Sequence, residues 1–436
     1  MKTLLTRVEG EGSIVVVEKN GYIDSIVYEI TEAPRFFEYI VLSRDMERVV
    51  DIVSRVCGLC GVSYSFVAAK AFEKCLGVDV DEKVDMFREA IHLAERVKSH
   101  VMHLFYMNLP DLVKTKMFTD FLQRNPEISK HFQNVLLWSR KAMYTLGGRF
   151  HNVVNIKIGG VYRVPDRDSV KKLVEELNKV SKSFKEFASF ILSIKHPDEY
   201  TKRSFNNIHL VSLYSQNSRY PHHNDKLYLD KELYTISEFF RNTVKTSQLP
   251  YSTALHYRIK GVESYIVGPL ARFNQHYNVL DKEVRAFIEM HNWKHPLNSV
   301  LFSYVARIAE IYNTLLILED YLDKLSKGIE LATDTDIHAK SSKSKLYGTV
   351  CEYAVEAPRG ILYHRYNVDK ERVISCDIVT PTAQNLASMS DIATAILRGR
   401  KTDTNSIDIA KKIAISFDPC ISCSVHTLKV RIVNIN

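Results

Sequence analysis

Four of the chain's seven cysteines fall into two Cys-x-x-Cys pairs far apart in the sequence, Cys57-Gly58-Leu59-Cys60 and Cys420-Ile421-Ser422-Cys423. A pair so spaced lets one loop present two thiolates, and two such loops complete a tetrathiolate site for one metal. Zinc, iron and nickel all accept such soft donors. Cysteines serving only as small buried hydrophobes have no reason to adopt this spacing. The pattern therefore predicts a metal that joins the beginning of the sequence to its end.

The elements that must carry these pairs are mostly helical. Ser13 to Glu18 and Ile23 to Ile30 alternate in the manner of strands around Asn20-Gly21, a strong hairpin signal. From about Arg44 the period becomes helical, with Val84, Phe87, Ile91, Ala94, Val97 and Val101 on one face, and helices dominate to about Tyr144. A further amphipathic helix follows Asp168, with Val170, Leu173, Leu177, Val180, Phe184, Phe187 and Ile191 on one stripe. The stretch from about Pro197 to Lys282 is less regular, and its polar loop Asn217-Ser218-Arg219-Tyr220-Pro221-His222-His223 reads as solvated. Helical spacing returns from Val284 to Leu325, strands and turns follow from Tyr347 to Asp377, and one last helix is expected over Asp391 to Ala414.

The fold class is mainly α with peripheral β, an α+β fold, in a single unit. Its parts are a β-rich region 1–43, a helical region 44–196, an irregular insertion 197–282, a helical and β region 283–426 and a tail 427–436. Both cysteine pairs are expected beside helix ends that meet in the core.

Composition removes several classes of function. The 436 residues are 45% hydrophobic, enough for a large core. The net charge of +8 is spread over lysine-rich helices, and no nucleic-acid module or Gly-rich phosphate loop is present, so neither nucleic acid nor a nucleotide is expected as ligand. There is no signal-peptide pattern and no uninterrupted apolar run of about eighteen residues, which points to the cytoplasm and away from a direct membrane span. In a reducing compartment Cys75, Cys351 and Cys376 read as core residues rather than disulfide partners.

The wider context of the pairs carries a resemblance. Arg55-Val56-Cys57-Gly58-Leu59-Cys60 and Asp418-Pro419-Cys420-Ile421-Ser422-Cys423-Ser424-Val425-His426 resemble the two metal-binding motifs of nickel-iron hydrogenase large subunits. Arg7 to Gly12, Pro34-Arg35-Phe36-Phe37-Glu38, Gly268 to Asn274, Glu356-Ala357-Pro358-Arg359-Gly360 and Thr380-Pro381-Thr382 with Asn385 extend it in the family's order. The chain looks most like the soluble, multimeric cytoplasmic branch. The resemblance implies a catalytic large subunit that splits H2 reversibly into protons and electrons. A hydrogen-sensing or non-turnover relative is the alternative, and a structural zinc tetrathiolate a third reading.

Carried over residue by residue, Cys57 and Cys420 become terminal nickel ligands, and Cys60 and Cys423 bridge nickel to an iron that carries cyanide and carbon monoxide, Fe(CN)2(CO). Pro381 and Thr382 match residues around a cyanide. Arg359 and Asp418 match a pair beside the metals, and Glu9 matches a proton-accepting glutamate. Glu38 and His426 match residues that help hold Mg2+, largely through water, which suits that ion's reluctance to dehydrate. With too few remaining cysteines for iron-sulfur clusters, electrons are expected to leave through an iron-sulfur small subunit, followed by further electron-transfer subunits. Two departures stand out: Tyr64 occupies the place of the family's usual histidine, and Ser99 that of an aspartate in some members. Residues 427–436 resemble the extension that a peptidase removes on maturation, or else form a permanent strand.

Overall fold

A computed structural model describes residues 1–115, 117–194, 208–215, 219–327 and 348–425. Strands β1 (Lys2–Leu4), β2 (Gly12–Lys19) and β3 (Tyr22–Ile30) form an antiparallel sheet in that order. Asn20 and Gly21 make the expected turn at positive φ, and Ile14, Val16, Ile23, Ile26 and Tyr28 are buried on the inner face.

Helices α1 (Met46–Val53), α2 (Gly61–Leu76), α3 (Glu82–Met102), α4 (Pro126–Gly147) and α5 (Arg167–Ser193) follow. Asp81 and Asp166 start α3 and α5 by accepting the backbone N–H groups of Lys83 and Ser169. The second half adds α6 (Pro269–His276), α7 (Lys282–Met290), α8 (Ser303–Ser326), α9 (Pro381–Leu397), α10 (Thr404–Phe417) and the short α11 (Ile421–Ser424). Helix α3 packs on α4, α4 on α5, α5 on α8, and α8 back on α3, closing a four-helix core. Although α8 is apolar and long enough to cross a membrane, 89% of its apolar window is buried in this core.

The region expected to be irregular contains strands. β4 (His209–Leu213), β6 (Lys226–Leu229), β7 (Glu232–Thr235) and β10 (Tyr265–Ile266) form one sheet, while β8 (Val244–Gln248) and β9 (Leu255–Ile259) pair as a ribbon. The short β5 (His223–Asn224) joins the edge of a sheet made by β11 (Thr349–Ala357), β12 (Gly360–Asp369) and β13 (Arg372–Val379). That pairing overturns the solvated reading of the histidine loop: His222 and His223 are only partly exposed, and the His222 ring packs against His92. Asn217 and Ser218 of that loop lie outside the described residues. The single helix expected over Asp391 to Ala414 is two, because the chain turns at Gly399, φ 79°, and Asp403 caps a new helix by accepting from Ser406 N–H.

A second correction concerns the cysteines outside the pairs. Cys351 is buried as expected, but α2 packs against β11 and brings Cys75 to it, forming a disulfide across 276 residues. Cys376 is free and partly buried. Closing so long a loop restricts the unfolded chain by roughly 5 kcal/mol in the chain-entropy model. Cys75→Ser is therefore expected to lower the thermal midpoint by several degrees in non-reducing buffer. Calorimetry that finds wild type and variant equal would show that the bond is not formed in the folded protein.

Candidate metal centre

Each cysteine loop ends where a helix begins, since Cys60 immediately precedes α2 and Cys420 precedes α11. The Sγ atoms of Cys57 and Cys420 are 3.5 Å apart and those of Cys420 and Cys423 2.7 Å. The sulfurs of Cys57, Cys420 and Cys423 lie within 4.8 Å of one another, a set that could hold a metal ion. Cys60 donates its backbone N–H to Cys57 Sγ at 3.2 Å, and all four residues are buried. The two ends of the sequence meet as expected.

Three residues fix the loops. Arg35 Nη2 donates to the Val56 carbonyl at 2.6 Å and also to the Ser422 carbonyl, so one side chain holds both loops. Thr382 Oγ1 accepts the Cys420 N–H at 3.0 Å, which leaves its own O–H available as a donor. The Glu9 carboxylate accepts from the Ser422 N–H at 3.1 Å and from the Ser422 hydroxyl, while the Ile421 N–H donates to the Glu9 carbonyl at 2.9 Å. Pro381 is buried in the first turn of α9, which Thr380 caps.

The buried Arg359 donates from Nε to the Asp418 carbonyl at 2.7 Å, from Nη2 to Asp418 Oδ1 at 2.9 Å, and from Nη1 to Ser99 Oγ at 3.4 Å. Burial opposes its charge, but Asp418 and the Cys420, Cys60 and Cys57 sulfurs outweigh burial and hold its pKa well above the ordinary value. Burial raises the pKa of Asp418, against the attraction of Arg359 and Arg307. For Cys57 burial is again the largest opposing influence. Hydrogen bonds with Cys420, Cys423 and Cys60, together with the Arg359 charge, nevertheless carry its pKa well below that of a free thiol. A thiolate facing a fixed cation is what a soft metal requires.

Tyr64 is also part of this pocket. Burial, followed by the charges of Cys423, Cys60, Cys57 and Cys420, pushes its pKa well above that of a free phenol. Its buried hydroxyl has no hydrogen-bond partner among the described residues. An orphaned donor close to four sulfurs fits a site completed by metal and its small ligands.

Glu38 is not among the sulfurs. Its Oε1 accepts the Ile378 N–H at 2.7 Å, and it lines a cavity of about 380 Å³ with Asp377 and Ser424. His426 and residues 427–436 lie outside the described residues.

Sequence reasoning quoted Arg35 and Arg272 only as parts of motifs, and the structure gives each a task. Arg272 is fully buried; its Nε and Nη2 reach the two Glu310 oxygens at 2.6 and 2.7 Å, and Nη1 reaches Glu356 Oε2 at 2.7 Å. It also donates to the Ala357 and Pro358 carbonyls, both at 3.1 Å, and so fixes the turn before Arg359. Gly268 presses on the same turn at φ +111°, where an added Cβ would stand 2.5 Å from the Arg359 carbonyl oxygen.

The chain matches the family model described as nickel-dependent hydrogenase over residues 35–136 and 206–426. It is 31% identical to the alpha chain of sulfhydrogenase 2 from Pyrococcus furiosus, covering 98% of both chains. It is 24% identical to one chain of the F420-non-reducing hydrogenase vhc from Methanococcus voltae, over 97% of this chain and 94% of that one. Among solved structures, an NAD+-reducing [NiFe]-hydrogenase in the H2-reduced state superposes with a TM-score of 0.86 at 20% identity, covering 98% of this chain and 99% of that one. A [NiFeSe]-hydrogenase from Dm. baculatum gives a TM-score of 0.77 at 20% identity over the same shares. These likenesses establish the shared α+β fold.

Arg272→Met would leave Glu310 and Glu356 buried without their shared cation. The expected loss is about 3–5 kcal/mol of stability, read as a lower urea midpoint by circular dichroism. An unchanged midpoint would remove Arg272 from its supporting role.

Proposed function

The chain belongs to the nickel-dependent hydrogenase family as a catalytic large subunit, an oxidoreductase acting on hydrogen, and on that premise we propose how its residues divide the work. Cys57 and Cys420 would hold nickel, Cys60 and Cys423 would hold nickel and iron together, and Pro381 and Thr382 would line the pocket for the iron's cyanide and carbon monoxide. The convergence of Cys57, Cys420 and Cys423 beside the Arg359–Asp418 pair carries this reading. When bound, the Fe(CN)2(CO)-nickel centre supplies the redox-active position at which H2 is split.

The protein's own part is to hold charge and move protons. Arg359 is fixed by Asp418 and Ser99, so a cation faces the sulfurs without having to reorganise. Thr382 keeps a free O–H because its lone pair takes the Cys420 N–H. Glu9 contacts Ser422, between the second pair of cysteines, and from there accepts a proton leaving that loop. Glu38, beside a cavity that has room for water, would hold Mg2+ together with His426. The reaction runs in both directions in this reading, and the location is the cytoplasm.

Electrons leave for an iron-sulfur small subunit, and further electron-transfer subunits complete a heteromeric complex. Relatives whose names mark them as single components of larger hydrogenases support that assembly. So does the first loop: Cys57 and Cys60 are buried while Gly58 between them is exposed, and its carbonyl is 3.0 Å from Nδ1 of His151, next to the exposed Phe150. A partner seated there would be one residue from the ligands.

Two measurements test the assignment. Cys57→Ser and Cys420→Ser are each expected to abolish nickel retention and hydrogen-dependent dye reduction, and the wild-type protein is expected to show nickel together with cyanide and carbon monoxide infrared bands. Zinc alone in the wild type would overturn the nickel-iron reading, and metal and bands without turnover would favour a sensor. Separately, Tyr64→Phe and Tyr64→His should both keep nickel while shifting those bands, because they change only the donor near the sulfurs. Complete metal loss in both variants would contradict that role.

A further inference from the structure

The His222-His223 pair plays no part in the metal centre, yet His222 ends an unbroken line of polar contacts that starts beside the first cysteine loop. Buried Glu95 accepts the Val62 N–H on Oε1 at 2.9 Å and the Ser63 N–H on Oε2 at 3.0 Å, so its carboxylate sits on the first turn of α2, just after Cys60. The same Oε2 is 2.9 Å from Ser63 Oγ. Ser63 Oγ is 2.8 Å from His92 Nε2, and His92 Nδ1 is 3.1 Å from His222 Nε2. His222 lines a cavity of about 640 Å³, and its Nδ1 has no partner among the described residues. Exposed Glu82, Arg219, Asp320 and Lys324 line the same cavity, which opens it to solvent.

We propose that Glu95, Ser63, His92 and His222 form a proton relay between this cavity and the base of the first cysteine loop. It ends at Glu95, next to the first cysteine loop and separate from Glu9 at the other loop, and its use in the hydrogen reaction rests on the function proposed above. A proton taken up at His222 Nδ1 releases the Nε2 proton to His92 Nδ1. His92 then passes its Nε2 proton to Ser63 Oγ, and Ser63 passes its own to Glu95 Oε2. One proton enters, one remains on Glu95, and each hydrogen bond in the line reverses direction. The opposite sequence returns the proton to solvent.

Charges around the line favour this use. Burial, reinforced by Arg96, His223 and Arg272, holds the pKa of His92 well below that of a free imidazole. Burial and the same three residues, with His92, do so for His222. Both rings therefore stay neutral and act by exchanging tautomers rather than by storing charge. Burial raises Glu95 to about 7, against Lys98 and the Val62 and Ser63 bonds, so near neutrality it both accepts and releases a proton. Lys98 is buried, its Nζ has no hydrogen-bond partner among the described residues, and it interacts electrostatically with Glu95, Cys57 and Cys60. A change of charge on Glu95 is thereby felt at the sulfurs.

A polar core cluster with a purely structural role predicts a different response from a relay. His92→Gln and His222→Gln retain a hydrogen-bonding side chain but cannot exchange tautomers. The purified, metal-loaded protein is followed by time-resolved infrared spectroscopy after a pH jump, reading the carboxyl band that vanishes in Glu95→Gln. The rise of that band is expected to slow by about tenfold or more, equivalent to about 1.4 kcal/mol in barrier, in both glutamine variants. Imidazole added to His222→Ala should restore the rate. Wild-type kinetics in both glutamine variants, or no carboxyl band assignable to Glu95, overturns the proposal. The band reads Glu95 directly, so a protein without hydrogen turnover but with a histidine-dependent rise would count against the hydrogenase mechanism and in favour of the relay.

Discussion

Arg35 donates to a carbonyl immediately before Cys57 and to another between Cys420 and Cys423. The sulfurs it brings together belong to residues separated by 363 positions. Closing so long a loop is not the main obstacle, because the entropy cost rises only logarithmically with length. The harder requirement is to confine four sulfurs in a buried space where thiolates repel one another. Arg35 meets it through the backbone and leaves all four sulfurs available. Thr382 and Glu9 likewise grip main-chain or hydroxyl groups of the second loop. A metal can then bind without dismantling what holds the site.

The same economy governs the buried charges. A buried ion pair seldom adds net stability over apolar packing, since desolvation cancels much of the attraction. Its benefit is direction. Arg272 ties Glu310 and Glu356 to the carbonyls before Arg359, and Arg359 in turn is held by both the backbone and the carboxylate of Asp418. The guanidinium facing the cysteines is thus positioned by a chain of groups that begins in α6 and reaches the residue two before Cys420.

Much of this was legible in the sequence because spacing and order survive without coordinates. The cysteine pairs, the N-terminal hairpin, α3 and α5 could be read from periodicity or motif, and the joining of Arg359 with Asp418 from the family resemblance. What could not be read depends on partners brought by distant elements. Cys75 meets Cys351 only because α2 lies on β11, and His222 is partly buried beside His92 because its neighbour His223 begins a strand at a sheet edge. The break before α10 did leave a signal. Gly399 followed by Asp403, with Ser406 three residues later, is a stop and an N-cap that the apolar pattern on either side obscured.

The backbone bridge between Glu9 and Cys420 has a consequence for the order of assembly. At ribosomal speeds of 5–20 residues per second, Cys420 is made roughly 20–70 s after Cys57. Throughout that interval Cys57 and Cys60 lack the later segment that packs beside them, and Glu9 awaits its bridge. The nascent protein therefore has a time window, set by translation, in which the first pair is accessible from the side that is sealed in the finished fold. Docking of the second loop closes it.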